Sequence, residues 1–197
     1  MAKKNWLKGV AIVLIALLAL AGCSGKKNSG GGGSSGSSVP KVGKAASDFT
    51  YSLTEDGKGV IIEKYTGKGG AVVIPGEIEG FPVVELELAA FRGETVRGDI
   101  GPGYNITSVV IPASVKKIGG TCFHKIEKLT SVTILGSGVE IGSNSFSKAI
   151  NLSELKFPDG DKVLFPDKDG GFNHFNGCKK LPLAVRAKLT SWGFEEP

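Results

Sequence analysis

Three apolar positions recur at a fixed interval. Ile106, Leu129 and Leu152 are 23 residues apart, and the same interval links Val109 to Val132 to Leu155 and Ile111 to Ile134 to Phe157. A period in the twenties that keeps its register restricts a chain to repeat architectures, because a unit that short cannot bury its apolar face alone and must stack on its neighbours. Ile118 and Ile141 continue the series to Leu164, and Phe123 and Phe146 continue it to Phe175 after six inserted residues. From each of those phenylalanines it is six residues to Leu129, Leu152 and Leu181.

Within each unit the pattern L-x-x-V-x-I reads as a short strand, since residues two apart share a face and three apolar side chains point to one core. The outward positions are then Ser108, Val110, Ser131, Thr133, Glu154 and Lys156. Pro112 and Pro158 end two of the strands, and Ile118-Gly119 and Ile141-Gly142 suggest a second tight turn. Phe123 and Phe146 are expected to stack as an aromatic ladder inside the core. The ends of such a stack face water unless covered. Phe49, Tyr51 and Leu53 alternate, a turn follows at residues 55–58, and Val60 to Tyr65 returns, which reads as an N-terminal hairpin cap. Leu181, Val185, Leu189 and Trp192 fall at helical spacing around Pro182, which reads as a C-terminal helical cap.

Residues 106–123 and 129–146 resemble the BspA-type leucine-rich repeat, with its L-x-x-V-x-I-P and V-x-x-I-G-x-x-A-F core. Residues 72–75 and 80–91 look like a slightly expanded first unit. Departures are Leu135 in place of proline, Cys122 and Ser145 in place of alanine, and two insertions, Arg92 to Asn105 and six residues before Phe175. The resemblance implies a β-rich solenoid of short parallel strands over residues 48–197. It also implies a non-enzymatic role in protein–protein interaction, as in extracellular lipoproteins and surface antigens that bind host matrix proteins or other bacteria.

The N-terminal residues read differently. Lys3, Lys4 and Lys8 precede an apolar run from Val10 to Ala21, too short to span a bilayer, which is a signal-peptide pattern over residues 1–22. Leu20-Ala21-Gly22-Cys23 resembles the bacterial lipobox, which implies cleavage before Cys23 and lipidation of its thiol. Two or more acyl chains hold a protein firmly at a membrane. Residues 23–47, rich in Gly and Ser, then form a tether with an end-to-end distance of roughly 25 to 30 Å. Removing the first 22 residues takes away three lysines and lowers the formal net charge from +5 to +2, too small and too evenly spread for nucleic acid.

Catalytic signals are thin. His124 and His174 occupy different places in their units, and Cys122 and His124 lack the spacing of a zinc site. Asp159, Asp161, Asp167 and Asp169 do not fit the calcium-binding loop, and Lys162 and Lys168 interleave with them. No cofactor, metal or catalytic residue is expected, and Cys122 and Cys178 are expected to be buried free thiols. The first insertion contains Arg97-Gly98-Asp99, the tripeptide that integrins recognise, among Gly93, Gly101 and Gly103. The sequence therefore predicts a monomeric lipoprotein of the bacterial cell envelope, at the outer membrane or cell surface. Its partners would be proteins: either a host matrix protein or receptor, through adhesion, or a bacterial component, in envelope assembly.

Overall fold

The computed structural model of the chain describes residues 46–94, 97–166 and 173–194. The expected signal peptide, Cys23 and the expected tether up to residue 45 lie outside the described residues, as do Asp167, Asp169, Gly170 and Gly171. The elements are β1 (Phe49–Leu53), β2 (Val60–Tyr65), β3 (Gly70–Val73), β4 (Glu77–Ile78), β5 (Phe81–Leu86), β6 (Ile106–Ile111), β7 (Lys117–Ile118), β8 (Ser131–Ile134), β9 (Glu140–Ile141), β10 (Glu154–Lys156) and α1 (Leu183–Ser191).

The 23-residue register of the sequence is the register of a parallel sheet. Ser108, Val109, Val110 and Ile111 of β6 pair with Ser131, Val132, Thr133 and Ile134 of β8. Ser131, Val132 and Thr133 pair in turn with Glu154, Leu155 and Lys156 of β10. β3 joins on the other side, with Val72 opposite Val109, so this sheet runs β10-β8-β6-β3. Stacking equal residues at the inter-strand distance places Val72, Val109, Val132 and Leu155 in one buried row.

A second sheet, β1-β2-β5-β7-β9 with β4 paired to β5, continues the N-terminal hairpin through residues 117–118 and 140–141, where the sequence suggests only a tight turn. Lys117 and Ile118 pair with Glu140 and Ile141, and with Glu85 and Leu86 on the other side, all parallel. The two-residue strands carry one inward side chain each, so no alternation marks them in the sequence. Leu164 is also corrected. It bridges Glu140 and is 37% exposed, whereas Val163 and Phe165 on either side of it are buried. One of the six inserted residues therefore falls before Val163, and Phe165, not Leu164, continues Ile118 and Ile141.

The aromatic ladder forms. Phe91, Phe123, Phe146 and Phe175 stack with centroids 4.9, 5.1 and 5.2 Å apart, and Tyr65 extends the column at 5.5 Å from Phe91. Each middle ring sits at a corner flanked by left-handed residues, Thr121 (φ 51°) and Lys125 (φ 56°) around Phe123 and Asn144 (φ 59°) and Lys148 (φ 62°) around Phe146. Backbone bonds between successive corners tie them together, such as Phe123 N–H to Ser145 O at 2.7 Å and Lys125 N–H to Ser147 O at 2.9 Å.

β1 and β2 form the expected antiparallel hairpin. A register shift between Thr50 and Tyr51 breaks the simple alternation, so Phe49 is buried while Leu53 is 51% exposed. At the other end α1 follows Pro182 and buries Leu189, with Val185 and Trp192 packed against the core. Phe194, beyond the helix, is buried edge-on against Phe175 at 5.5 Å, a core contact that the helical spacing did not foretell.

Candidate functional site

The outward side chains of the four-stranded sheet line up in two columns. Ser108, Ser131 and Glu154 form one, and Val110, Thr133 and Lys156 form the other, because each strand pairs in register with the next. β3 adds Ala71 beside Ser108 and Val73 beside Val110. Sequence periodicity missed these two because Val72 and Val109 are 37 residues apart, the first unit being lengthened by the 92–105 insertion. Ser108, Val110, Ser131 and Thr133 are half-buried by their neighbours, and Glu154 and Lys156 are exposed.

The columns differ in charge along the sheet. At the β10 end Glu154 accepts a hydrogen bond from Ser131 Oγ at 2.7 Å and pairs with Lys156 Nζ at 2.6 Å. The bond from Lys156, then that from Ser131, hold the Glu154 carboxyl below the usual carboxylate range. Both partners of this ion pair are well exposed, so its worth in stability is small. Toward β3 the face carries only Ala, Ser, Thr and Val. Short side chains on a pleated surface leave the strands accessible to a flat partner.

The described residues of the 92–105 insertion, 92–94 and 97–105, are joined to one another at the base of the loop. Glu94 and Ile100 form an antiparallel bridge, Gly101 N–H donates to Gly93 O at 2.9 Å, and Gly103 N–H donates to Arg92 O at 2.9 Å. Glu94 also pairs with Lys125 Nζ at 2.6 Å, and that hydrogen bond lowers its carboxyl pKa. Arg97, Gly98 and Asp99 are all exposed at the turn, and Gly98 has φ +87°, a conformation that glycine adopts without steric cost. Gly93, Gly101 and Gly103 thus take part in the backbone bonds that hold the base of this loop.

Both cysteines and His174 are buried in the core, and His124 lies at its margin. Cys122 and Cys178 are buried free thiols in different units, and Cys178 Sγ donates to Phe146 O at 3.1 Å. Burial pushes the Cys178 thiol up to about 12 and Cys122 higher still, which keeps both protonated and unreactive at neutral pH. His124 is half-buried. Burial, then the nearby Arg92, Lys125 and Lys148, lower its pKa and favour the neutral imidazole. His174 is fully buried between Phe165 at 4.8 Å and Phe194 at 6.4 Å. Among the described residues no three His, Cys, Asp or Glu side chains gather as metal ligands, and no helix is long and apolar enough to cross a membrane.

Comparison with known proteins bears on the fold. A leucine-rich repeat protein from Bacteroides capillosus superposes with a TM-score of 0.50 at 22% identity, covering 68% of this chain and 92% of that one. A leucine-rich repeat protein from Bacteroides ovatus gives 0.48 at 24% identity, covering 66% of this chain and 32% of that one. A leucine rich cell surface protein from Faecalibacterium prausnitzii gives 0.42 at 18% identity, covering 73% and 54%. No curated protein matches the sequence. Residues 102–183 match the family described as BspA type Leucine rich repeat region, in six copies. The in-register pairing of β6 with β8 and the stacked Phe123 and Phe146 lie within that matched stretch, so residues 102–183 are similar to this family in sequence and carry a repeat fold.

Proposed function

We propose that this protein is a lipoprotein of the bacterial envelope that presents its four-stranded sheet to a protein partner outside the cytoplasm. Residues 1–22 direct export, Cys23 carries the lipid, residues 23–47 are the tether, and residues 48–197 form a solenoid closed by the β1–β2 hairpin and α1. The observation that carries this reading is the outer face of the sheet, where Ser108, Val110, Ser131 and Thr133 from successive units stand in columns beside Glu154 and Lys156. Such a face offers shape and hydrogen bonding without reactive groups, as binding requires and catalysis does not. Adhesion to host or bacterial surfaces needs that face outside the cell. Protease shaving of intact cells is expected to release the repeat domain. Survival of the protein until the cells are lysed would discard adhesion in favour of an envelope assembly role with a bacterial partner.

A second reading is favoured by the exposed bend at Arg97-Gly98-Asp99, held out by the Glu94–Ile100 bridge. The guanidinium would meet a receptor carboxylate and Asp99 would ligate a receptor-bound cation. Asp99→Ala is expected to leave the circular dichroism spectrum unchanged and to reduce attachment of integrin-bearing cells to the purified protein. Equal attachment of parent and variant would end this reading.

A further inference from the structure

β3 is an end strand of the four-stranded sheet, and among the described residues no strand lies on its other side. Its hydrogen-bonding direction can be read from its ends. Gly70 N–H donates to Asn105 O at 2.8 Å and Ile74 N–H donates to Val110 O at 3.0 Å, so Gly70, Val72 and Ile74 face β6. The N–H and C=O groups of Ala71 and Val73 therefore point away from the sheet.

Natural sheets blunt such edges with charge, proline or bulges. The other ends of these sheets do so. β10 carries Glu154 and Lys156, β1 is broken by a register shift at Thr50 and Tyr51, and β9 is bridged by Leu164. β3 has none of these over Ala71, Val72 and Val73, and its one irregularity lies at its start, between Gly70 and Ala71. Exposed Lys68 lies two residues before the strand, and exposed Glu77, four residues after it, begins β4.

We propose that β3 is a self-pairing edge, on which a second copy of this chain docks antiparallel about a two-fold axis through Val72. Ala71 of each copy then faces Val73 of the other, and each such pair exchanges both of its N–H to O=C bonds. The same register sets Lys68 of one copy opposite Gly76 of the other, one residue from the exposed Glu77, twice, so opposite charges flank the two ends of the paired edge. The edge is short, so the dimer is weak and depends on concentration. This departs from the monomer that the sequence predicts.

Sedimentation velocity on the full chain held in detergent, over a micromolar to sub-millimolar series, tests the pairing. The parent is expected to pass from monomer to dimer. Val73→Pro removes an N–H that β6 does not use, so it should keep the circular dichroism and urea midpoint of the parent while moving the dimerisation midpoint upward by at least ~10-fold. Lys68→Glu should weaken the dimer, and Lys68→Glu with Glu77→Lys should restore it. A parent that stays monomeric throughout, or a folded Val73→Pro that dimerises as the parent does, overturns the proposal. So does a charge-exchanged double variant no better than Lys68→Glu alone.

Discussion

Replacing Phe146 with alanine is expected to destabilise the protein by about 3 to 5 kcal/mol, seen as a large fall in the urea midpoint with the slope little changed. Phe146 is fully buried and lies between two parallel rings, 5.1 Å from Phe123 at 8° and 5.2 Å from Phe175 at 2°. Truncation removes both stacking partners at once and leaves a cavity that the neighbours are poorly able to fill. The corner backbone is tied on both sides, by Phe146 N–H to His174 O at 2.8 Å and by the Cys178 thiol on Phe146 O. Phe157→Ala is the control, since that ring is only partly buried and touches Trp192 edge-on at 5.0 Å. A loss at Phe146 no greater than at Phe157 would mean that the ladder does not carry the core.

Gly119→Ala is expected to cost about 1 to 3 kcal/mol, the opposite sign from the gain that a glycine-to-alanine change gives where the backbone allows it. Gly119 follows the inward Ile118, and its N–H donates to Leu86 O at 2.8 Å. An added β-carbon would lie 2.6 Å from Leu88 N, 2.7 Å from Glu87 C and 2.9 Å from Leu86 O. All three are backbone atoms of the preceding unit, which cannot rotate away as a side chain can, so the units must be pushed apart. Gly76→Ala provides the contrast, because its nearest neighbour would be Pro112 Cβ at 3.7 Å, an ordinary contact. Thermal unfolding of the two variants should place Gly119→Ala well below the parent and Gly76→Ala close to it. Indistinguishable midpoints would show that the units are not held as closely as these distances require.

The parts of the fold that were legible in the sequence are those where spatial period and chain period coincide. β6, β8 and β10 pair at the interval already visible in Val109, Val132 and Leu155, and alternation then assigned Ser108, Thr133 and their neighbours to the outer face. Beyond its β1–β2 hairpin the second sheet was illegible, because β7 and β9 are two residues long and present one apolar side chain each. Leu164 was misplaced because a single extra residue shifts a strand by one and exchanges its faces. The contributions of Ala71 and Val73 were hidden behind a long insertion, and Phe194 lies past the end of the periodic helix pattern. No local signal in any of these stretches reports the partner against which it packs. For the candidate site, the residues could be named from the sequence, but the neutral half of the sheet face and the fixed base of the 92–105 insertion required the pairing of the strands.

Successive ladder rings are separated along the chain by 26 residues from Tyr65 to Phe91, then 32, 23 and 29, yet their centroids stay 4.9 to 5.5 Å apart. What is constant from unit to unit is a distance, and the number of residues needed to cover it is free. A gene encoding such a protein can gain or lose loop sequence between rings without disturbing the step from one layer to the next. In this chain the extra residues are taken up between rings, as in the 92–105 insertion, and the ring-to-ring step is unchanged across it.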